Sequence, residues 1–166
     1  MATALFISHE DIKRYSAISG NVDNDKIKQW IAIAQDIHIE NYLGSDLFNK
    51  ISTDIVNNSL SGDYLDLVNN HVKKMTIHFT IVELLPQLSI TIANKGVYKH
   101  TSENAELATK EEIDDLIEKH RKIAAKYVDR FLKYMCVNYT LFTEYTSNET
   151  GDTFPSKDNS FNGWYF

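Results

Sequence analysis

Apolar residues recur at helical spacing along the first part of the chain and predict a series of amphipathic helices. A short helix is expected over HEDIKRYSA, with Ser8 as its N-cap and Asp11 completing a capping box. A longer helix follows residues 23 to 25 and ends at Gly44, and Ser45 caps the short helix after it. The apolar face of the longer helix is formed by Ile27, Trp30, Ile31, Ala34 and Ile37, of which we expect Trp30 to be buried.

A second helical pattern begins at Asp63. Its apolar stripe consists of Leu65, Val68, Val72, Met75, Phe79 and Val82. Pro86 is expected to kink or end this helix, because proline lacks the N–H that the helix ladder needs. The segment QLSITIANKGVY that follows stays open between strand and helix, since Ile90 and Ile92 alternate as in a strand while their neighbours allow a helix.

The longest periodic stretch lies in the second half of the chain. Thr109 and Glu112 form a capping box at its start, and a run to Tyr145 would make about nine helical turns. The polar residues after it lack helical periodicity. We therefore predict an all-α fold, a small helical bundle with a long C-terminal helix and an extended C-terminal arm. Residues 1–145 are assigned to the bundle and residues 146–166 to the arm.

Composition narrows the class of protein. The 166 residues favour one domain, and the formal net charge of -6 argues against a general nucleic-acid binder. Cys136 is the single cysteine, so no intramolecular disulfide is expected, and we predict a small core residue at this position. The start of the chain lacks the basic region of a signal peptide, and the longest apolar stretch is interrupted by polar residues. Synthesis in the cytoplasm and no membrane association are expected.

Candidate catalytic and metal-binding residues are few. His71 and His78 lie two turns apart on one helix, a rise of roughly 10 Å, which is too far for both rings to reach one metal ion. We interpret them as histidines at the edge of the core. Glu83 has no partner at helical contact spacing and is expected to point to solvent. No phosphate-binding or nucleophile motif occurs, so we predict a protein that is not an enzyme and holds no metal or cofactor.

The long helix carries a line of basic residues, which we call the basic stripe: Lys119, Lys122, Lys126, Arg130 and Lys133. Acidic residues occupy its first turns instead, a distribution that the helix dipole favours. Besides an ordinary solvated face, two functions fit the stripe. It can meet the acidic end of a neighbouring copy, or it can face nucleic acid.

Four aromatic residues stand within the last six positions: Phe161, Trp164, Tyr165 and Phe166. Large apolar side chains at a chain end either fold back onto the protein's own bundle or anchor it to a partner. The polar segment before them, which contains Gly151 and Pro155, suits a tether to a partner. Trp164 is the expected main anchor, because tryptophan is enriched at binding hot spots.

The residues from 18 to 51 provide a more specific signal. Their sequence, ISGNVDNDKIKQWIAIAQDIHIENYLGSDLFNKI, resembles the opening of head-tail connector (adaptor) proteins of tailed phages, including those of Bacteroides phages and the crAss-like group. The matching positions are Ser19, Gly20, Asn21, Asp23, Ala34, Gln35, Ile37, Leu43, Gly44 and Leu47.

The resemblance implies a structural protein of the virion neck, made in the host cytoplasm. Such proteins form a ring, usually dodecameric, on the portal protein. The ring contacts adjacent neck or tail proteins, and DNA passes through its channel without sequence-specific binding. The resemblance also implies that extended termini dock on neighbours, which would make the four terminal aromatics interface anchors. Two other classes stay open: a small helical regulator that binds nucleic acid through the basic stripe, and a metal-binding bundle.

Overall fold

The computed structural model of the protein describes residues 4–18, 22–88, 90–93, 96–99, 109–149 and 152–158. These residues confirm the all-α fold. The α-helices are α1 (His9–Tyr15), α2 (Asn24–Ala34), α3 (Glu40–Leu43), α4 (Ser45–Val56), α5 (Gly62–Leu67), α6 (Lys73–Leu88), α7 (Lys110–Asn138) and α8 (Thr143–Ser147). Two π-helical turns, Gln35–Ile39 and Val68–Val72, join α2 to α3 and α5 to α6, and a 3₁₀ turn, Tyr139–Leu141, lies between α7 and α8.

Two helices begin with the capping boxes that the sequence predicts. The Ser8 hydroxyl accepts a hydrogen bond from the Asp11 backbone N–H, and the Asp11 carboxylate accepts one from the Ser8 backbone. Thr109 and Glu112 form the same reciprocal pair at the start of α7. Each box satisfies two backbone donors that a helix start leaves without an intrahelical partner. Local sequence therefore determines where α1 and α7 begin.

Helix α6 is the centre of the bundle. Its residues from Met75 to Val82 are all buried, so this helix is enclosed on every side. One part of the core lies between α6 and α3, α4, α7 and α8, and contains Phe79, Phe131 and Phe142. The other part lies between α6 and α1 and α2, and consists mainly of isoleucines. The long helix α7 thus packs its apolar stripe on α6 and leaves its opposite face to solvent.

The end of α7 differs from the sequence-based expectation of a helix to Tyr145. The helix ends at Asn138, whose side-chain Nδ2 donates a hydrogen bond to the Tyr134 carbonyl. The chain then turns at Phe142, whose non-helical backbone places its ring in the core, fully buried. Burial of a phenyl side chain contributes about 2 kcal/mol to stability. This contribution exceeds what the continuation of α7 as one straight helix would add.

Four smaller expectations are also resolved. Helix α6 continues through Pro86 and ends at Leu88. The ambiguous segment after it is an antiparallel hairpin of β1 (Ile90–Ala93) and β2 (Gly96–Lys99), so the strand-like alternation was the correct signal. Trp30 is half-buried rather than buried, because it packs at the edge of the isoleucine cluster. Cys136 is exposed rather than in the core, since it follows the buried Met135 on the solvent side of α7.

Candidate interaction surfaces

Residues 152–158 of the arm are extended and attached to the bundle by backbone hydrogen bonds, whereas Thr146 and Ser147 at its start belong to α8. The Ser45 N–H donates to the Thr153 carbonyl at 2.9 Å, and the Ser156 N–H donates to the Asn41 carbonyl at 2.8 Å. The Ser45 hydroxyl also accepts a bond from the Thr153 N–H at 3.0 Å. The arm therefore lies across the junction of α3 and α4 at a fixed position.

Gly44 is the contact point for the arm at this junction. Its backbone has φ +76° and ψ 155°, a conformation that is essentially restricted to glycine. A Cβ at this position would lie 2.7 Å from Cγ and Cδ of Pro155, which is closer than van der Waals contact allows. Gly44 therefore has two functions: it ends α3, as the sequence predicts, and it makes room for the proline of the arm.

Asn148 connects the same junction to α8. It is buried, with 3% of its surface exposed, and its φ of 35° ends α8 in the left-handed region. The side-chain Nδ2 donates to the Thr153 carbonyl at 3.0 Å, and Oδ1 accepts from the Asp46 N–H at 3.2 Å. The side-chain amide of Asn148 thus forms hydrogen bonds with a backbone group of α4 and with a backbone group of the arm. These bonds explain why a polar side chain is buried here. No sequence pattern indicates this role, because the partners of Asn148 on α4 are about a hundred positions away.

A groove of about 700 Å³ opens between the end of α7 and the arm. We call it the end groove. Its walls come from the last turns of α7 with the adjoining 3₁₀ turn, from α8 and from the arm, and include Leu132, Cys136, Tyr139, Tyr145, Phe154 and Pro155. This volume is within the range of small-ligand sites, and the walls are mostly aromatic and aliphatic.

Exposed apolar side chains occur in the end groove and on the chain next to it. Phe154 and Tyr139 line the groove and are 68% and 47% exposed. Val137 and Leu141 are 77% and 44% exposed and neighbour Tyr139 in sequence. Val137, Tyr139 and Leu141 follow one another along the end of α7 and the 3₁₀ turn, and Phe154 belongs to the arm. Single exposed apolar residues are ordinary, but several beside an apolar groove are typical of a protein interaction surface.

The five residues of the basic stripe are exposed, and α7 places them on the solvent side of the bundle. Acidic neighbours reduce the positive field of the stripe. Lys133 pairs with Asp129 at 2.6 Å, and Lys122 lies 3.9 Å from Glu118. Such exposed pairs contribute little to stability. The contact of the stripe with protein or with DNA stays a prediction.

The core contains two histidines in contact, a pair that the sequence analysis does not predict. His78 on α6 and His120 on α7 are both buried, and their Nδ1 atoms are 3.0 Å apart. The ring centroids are 5.3 Å apart, close to the largest separation that such a contact allows, so the two nitrogens point at each other. One Nδ1–H donates to the bare Nδ1 of the other ring, which requires opposite tautomers.

Burial controls the titration of this pair. Burial, with His120 as the second cause, lowers the pKa of His78 to about 4. Burial, followed by the charge of Lys119, lowers the pKa of His120 as well. Both rings are therefore neutral near neutral pH, the state in which their mutual hydrogen bond is complete.

Two other expectations about titratable residues are resolved by contacts between helices. Glu83 does not simply point to solvent: its carboxylate lies 2.9 Å from Nε2 of His38, whose ring stacks on Phe79. His71 is half-buried and stacks on Tyr134, as expected for a histidine at the edge of the core. Among the described residues, no three histidine, cysteine or acidic side chains are close enough together to hold a metal ion.

The predicted arm anchors, Phe161, Trp164, Tyr165 and Phe166, lie outside the described residues. The segment before them is described: Lys157 lines the end groove, and Asp158 is the last described residue.

In the described ranges, no helix has both the length and the apolar character needed to cross a lipid bilayer.

The fold and its surfaces define a small all-α bundle protein with a docked C-terminal arm and an exposed apolar groove. The chain belongs to a family of unknown function, DUF6712, whose family model matches residues 39–155. The matched region begins in the π-helical turn before α3 and ends in the arm, so it contains both Gly44 and Pro155. No curated protein and no solved structure matches the chain.

Proposed function

We propose that the protein is a structural, non-enzymatic component of the neck of a tailed-phage virion. Copies of it form a ring that joins the portal to the tail and lines the DNA channel. The resemblance of residues 18 to 51 to head-tail connector proteins supports this function, and the helical bundle agrees with what that resemblance implies.

The position of the arm is the observation that carries the proposal. Leu43 and Gly44 are among the positions that resemble the connectors, and they form the junction on which the arm lies. Leu43 is fully buried and Gly44 contacts Pro155. A segment that is hydrogen-bonded to the bundle as far as Ser156 suits a subunit that uses the residues after it to reach a neighbour. The part of the chain that resembles the connectors therefore also holds the segment that precedes the terminal aromatics in sequence.

The partners follow from the surfaces. The apolar residues around the end groove suit other copies of the chain, the portal protein or an adjacent neck protein. The basic stripe, with its acidic neighbours, suits contact with another subunit better than a firm grip on DNA, since tight phosphate contacts would hinder passage of the genome. DNA then passes without sequence-specific binding.

A nucleic-acid-binding regulator is the second candidate. The observation in its favour is that all five cations of the basic stripe are exposed on one side of α7. The net charge of -6 is against it, because a nucleic-acid-binding domain usually carries a basic surface overall.

Loss of the gene from the phage that encodes it separates the two functions. A neck protein is required after DNA packaging, so its loss should give DNA-filled heads and separate tails in electron micrographs. A regulator acts before assembly, so its loss should change transcript levels and reduce heads and tails together. Normal joined particles in the deletion strain would contradict the proposal.

A further inference from the structure

We propose that the end groove of one subunit receives residues 159–166 of a second copy of the chain. The inference rests on the proposed function in one respect: it supplies the contact by which neighbouring copies join. It names a donor segment and an acceptor site, and both can be altered separately.

The chemistry of the groove suits an aromatic segment. A volume of about 700 Å³ with aromatic and aliphatic walls accepts large apolar side chains. Tyr139 and Tyr145 provide ring faces, and Leu132 and Pro155 provide aliphatic contacts. Aromatic side chains bury large areas and pack edge-to-face against other rings, so an aromatic peptide fits these walls better than a charged ligand.

The residues after Asp158 have the composition of such a segment. Eight residues follow Asp158, and four of them are aromatic, with no charged side chain among them. Fully extended, eight residues span about 26 Å, which is enough to pass from one subunit to the next. Their base is fixed, because the arm is hydrogen-bonded to Ser45 and Asn41.

The exposure of the groove points to a second copy as the source. In the structure of the single chain, two of the residues that line the groove, Phe154 and Tyr139, are 68% and 47% exposed. The surface is therefore open in one molecule and suited to contact with another. A donor segment and an acceptor groove on the same chain form a heterologous interface, and repetition of such an interface around an axis closes a ring.

The experiment uses two complementary variants of the full chain. The first lacks residues 159–166 and keeps the groove. The second keeps the terminal segment and carries Cys136→Lys, which places a long charged side chain in the groove from an exposed position of α7. Thr53→Lys, at an exposed position of α4, is the matched control for the added charge. Asn162→Ala is the control for Trp164→Ala in the donor segment.

Sedimentation gives the mass of each sample. Each of the two variants alone should be a monomer of about 19 kDa, whereas an equimolar mixture should give a pair of about twice the mass, since one donor then meets one acceptor. Wild type and Thr53→Lys should form larger assemblies. Trp164→Ala should weaken self-association at least tenfold, and Asn162→Ala should leave it unchanged.

Two results would overturn the inference. If Cys136→Lys alone assembles as wild type does, or if the mixture stays monomeric although wild type assembles, the segment docks elsewhere. If wild type is monomeric at all concentrations and loss of residues 159–166 lowers the melting temperature, the segment covers its own groove. The proposed function is judged separately: a pair formed in solution by a protein that never enters particles would leave the groove assignment intact and remove the neck assignment.

Discussion

Acid should destabilise this protein through the buried His78–His120 pair. In the unfolded chain His78 binds a proton near its ordinary pKa of about 6.5, whereas burial lowers its pKa in the folded protein to about 4. The unfolded state therefore binds more protons between these two values, so the free energy of unfolding falls as the pH is lowered from about 6.5 to about 4. Above the upper value the full contribution of the neutral ring is present.

The size of the effect follows from the shift. Each unit of pKa difference corresponds to about 1.4 kcal/mol, so a shift from 6.5 to about 4 gives a loss of about 3 kcal/mol over the window. His78 is only 9% exposed, so solvent screens this effect weakly. A loss of this size is a large part of the stability of a domain, which is typically about 5–15 kcal/mol.

Urea unfolding from about pH 7.5 to pH 4 measures this loss in the wild type and in His78→Gln. The carboxylates and His120 are present in both proteins, so the difference between the two curves isolates the contribution of His78. We expect the advantage of wild type over His78→Gln to shrink by about 3 kcal/mol as the pH falls through the window. His9→Gln, at the start of α1, is the control and should follow the wild type. A wild-type advantage that is constant with pH would show that burial does not lower the pKa of His78.

Four further predictions concern the arm, the basic stripe and bound metal. Gly44→Ala should destabilise the protein by about 1–3 kcal/mol and release the arm, because alanine strains the backbone and clashes with the arm. Release should appear as faster proteolysis at residues 152–158, and unchanged proteolysis would contradict this prediction. Charge reversal at Lys122 and Lys126 together should weaken assembly, whereas normal assembly with loss of salt-sensitive DNA binding would favour the regulator. In a Trp30→Phe background, Trp164 fluorescence should shift to shorter wavelength on assembly, and an equal spectrum before and after would remove its role as anchor. Elemental analysis should find no stoichiometric metal, and one zinc or iron per chain would contradict that expectation.

Features encoded in neighbouring residues could be predicted from the sequence. Ser8 with Asp11, and Thr109 with Glu112, lie three residues apart, and both capping boxes form at the predicted positions. The apolar stripe of α7 also follows from helical periodicity, because only the face that packs on α6 is buried, whereas α6 is buried on every side from Met75 to Val82. These local signals are sufficient for the all-α class and for the starts of two helices.

Contacts between distant residues could not be predicted. His38 and Glu83 are 45 positions apart, and His78 and His120 are 42 apart, so spacing along one helix gave no sign of either pair. The end of α7 at Asn138 depends on the position at which the core accommodates the Phe142 ring. The helix propensities of the neighbouring residues carry no information about that position.

The end groove was missed for the same reason. Its walls come from the end of α7, from α8 and from the arm, and they meet only in the folded chain. Cys136 illustrates the difficulty: it lies beside buried Met135 and was expected in the core, yet its side of the helix faces solvent. The exposed Phe154 was the sequence feature that could have indicated a surface here, since it is a large aromatic within a polar segment.

A ring in the virion neck is the proposed place of this protein. Quantitative mass spectrometry of gradient-purified particles is the sharpest test of that place, with the portal protein as the internal standard. The chain should be present in every particle in equal or simple integer ratio to the portal, as a closed ring stacked on it requires. A chain that stays in the soluble fraction of the lysate, or that occurs in particles only in trace amounts, would contradict the claim.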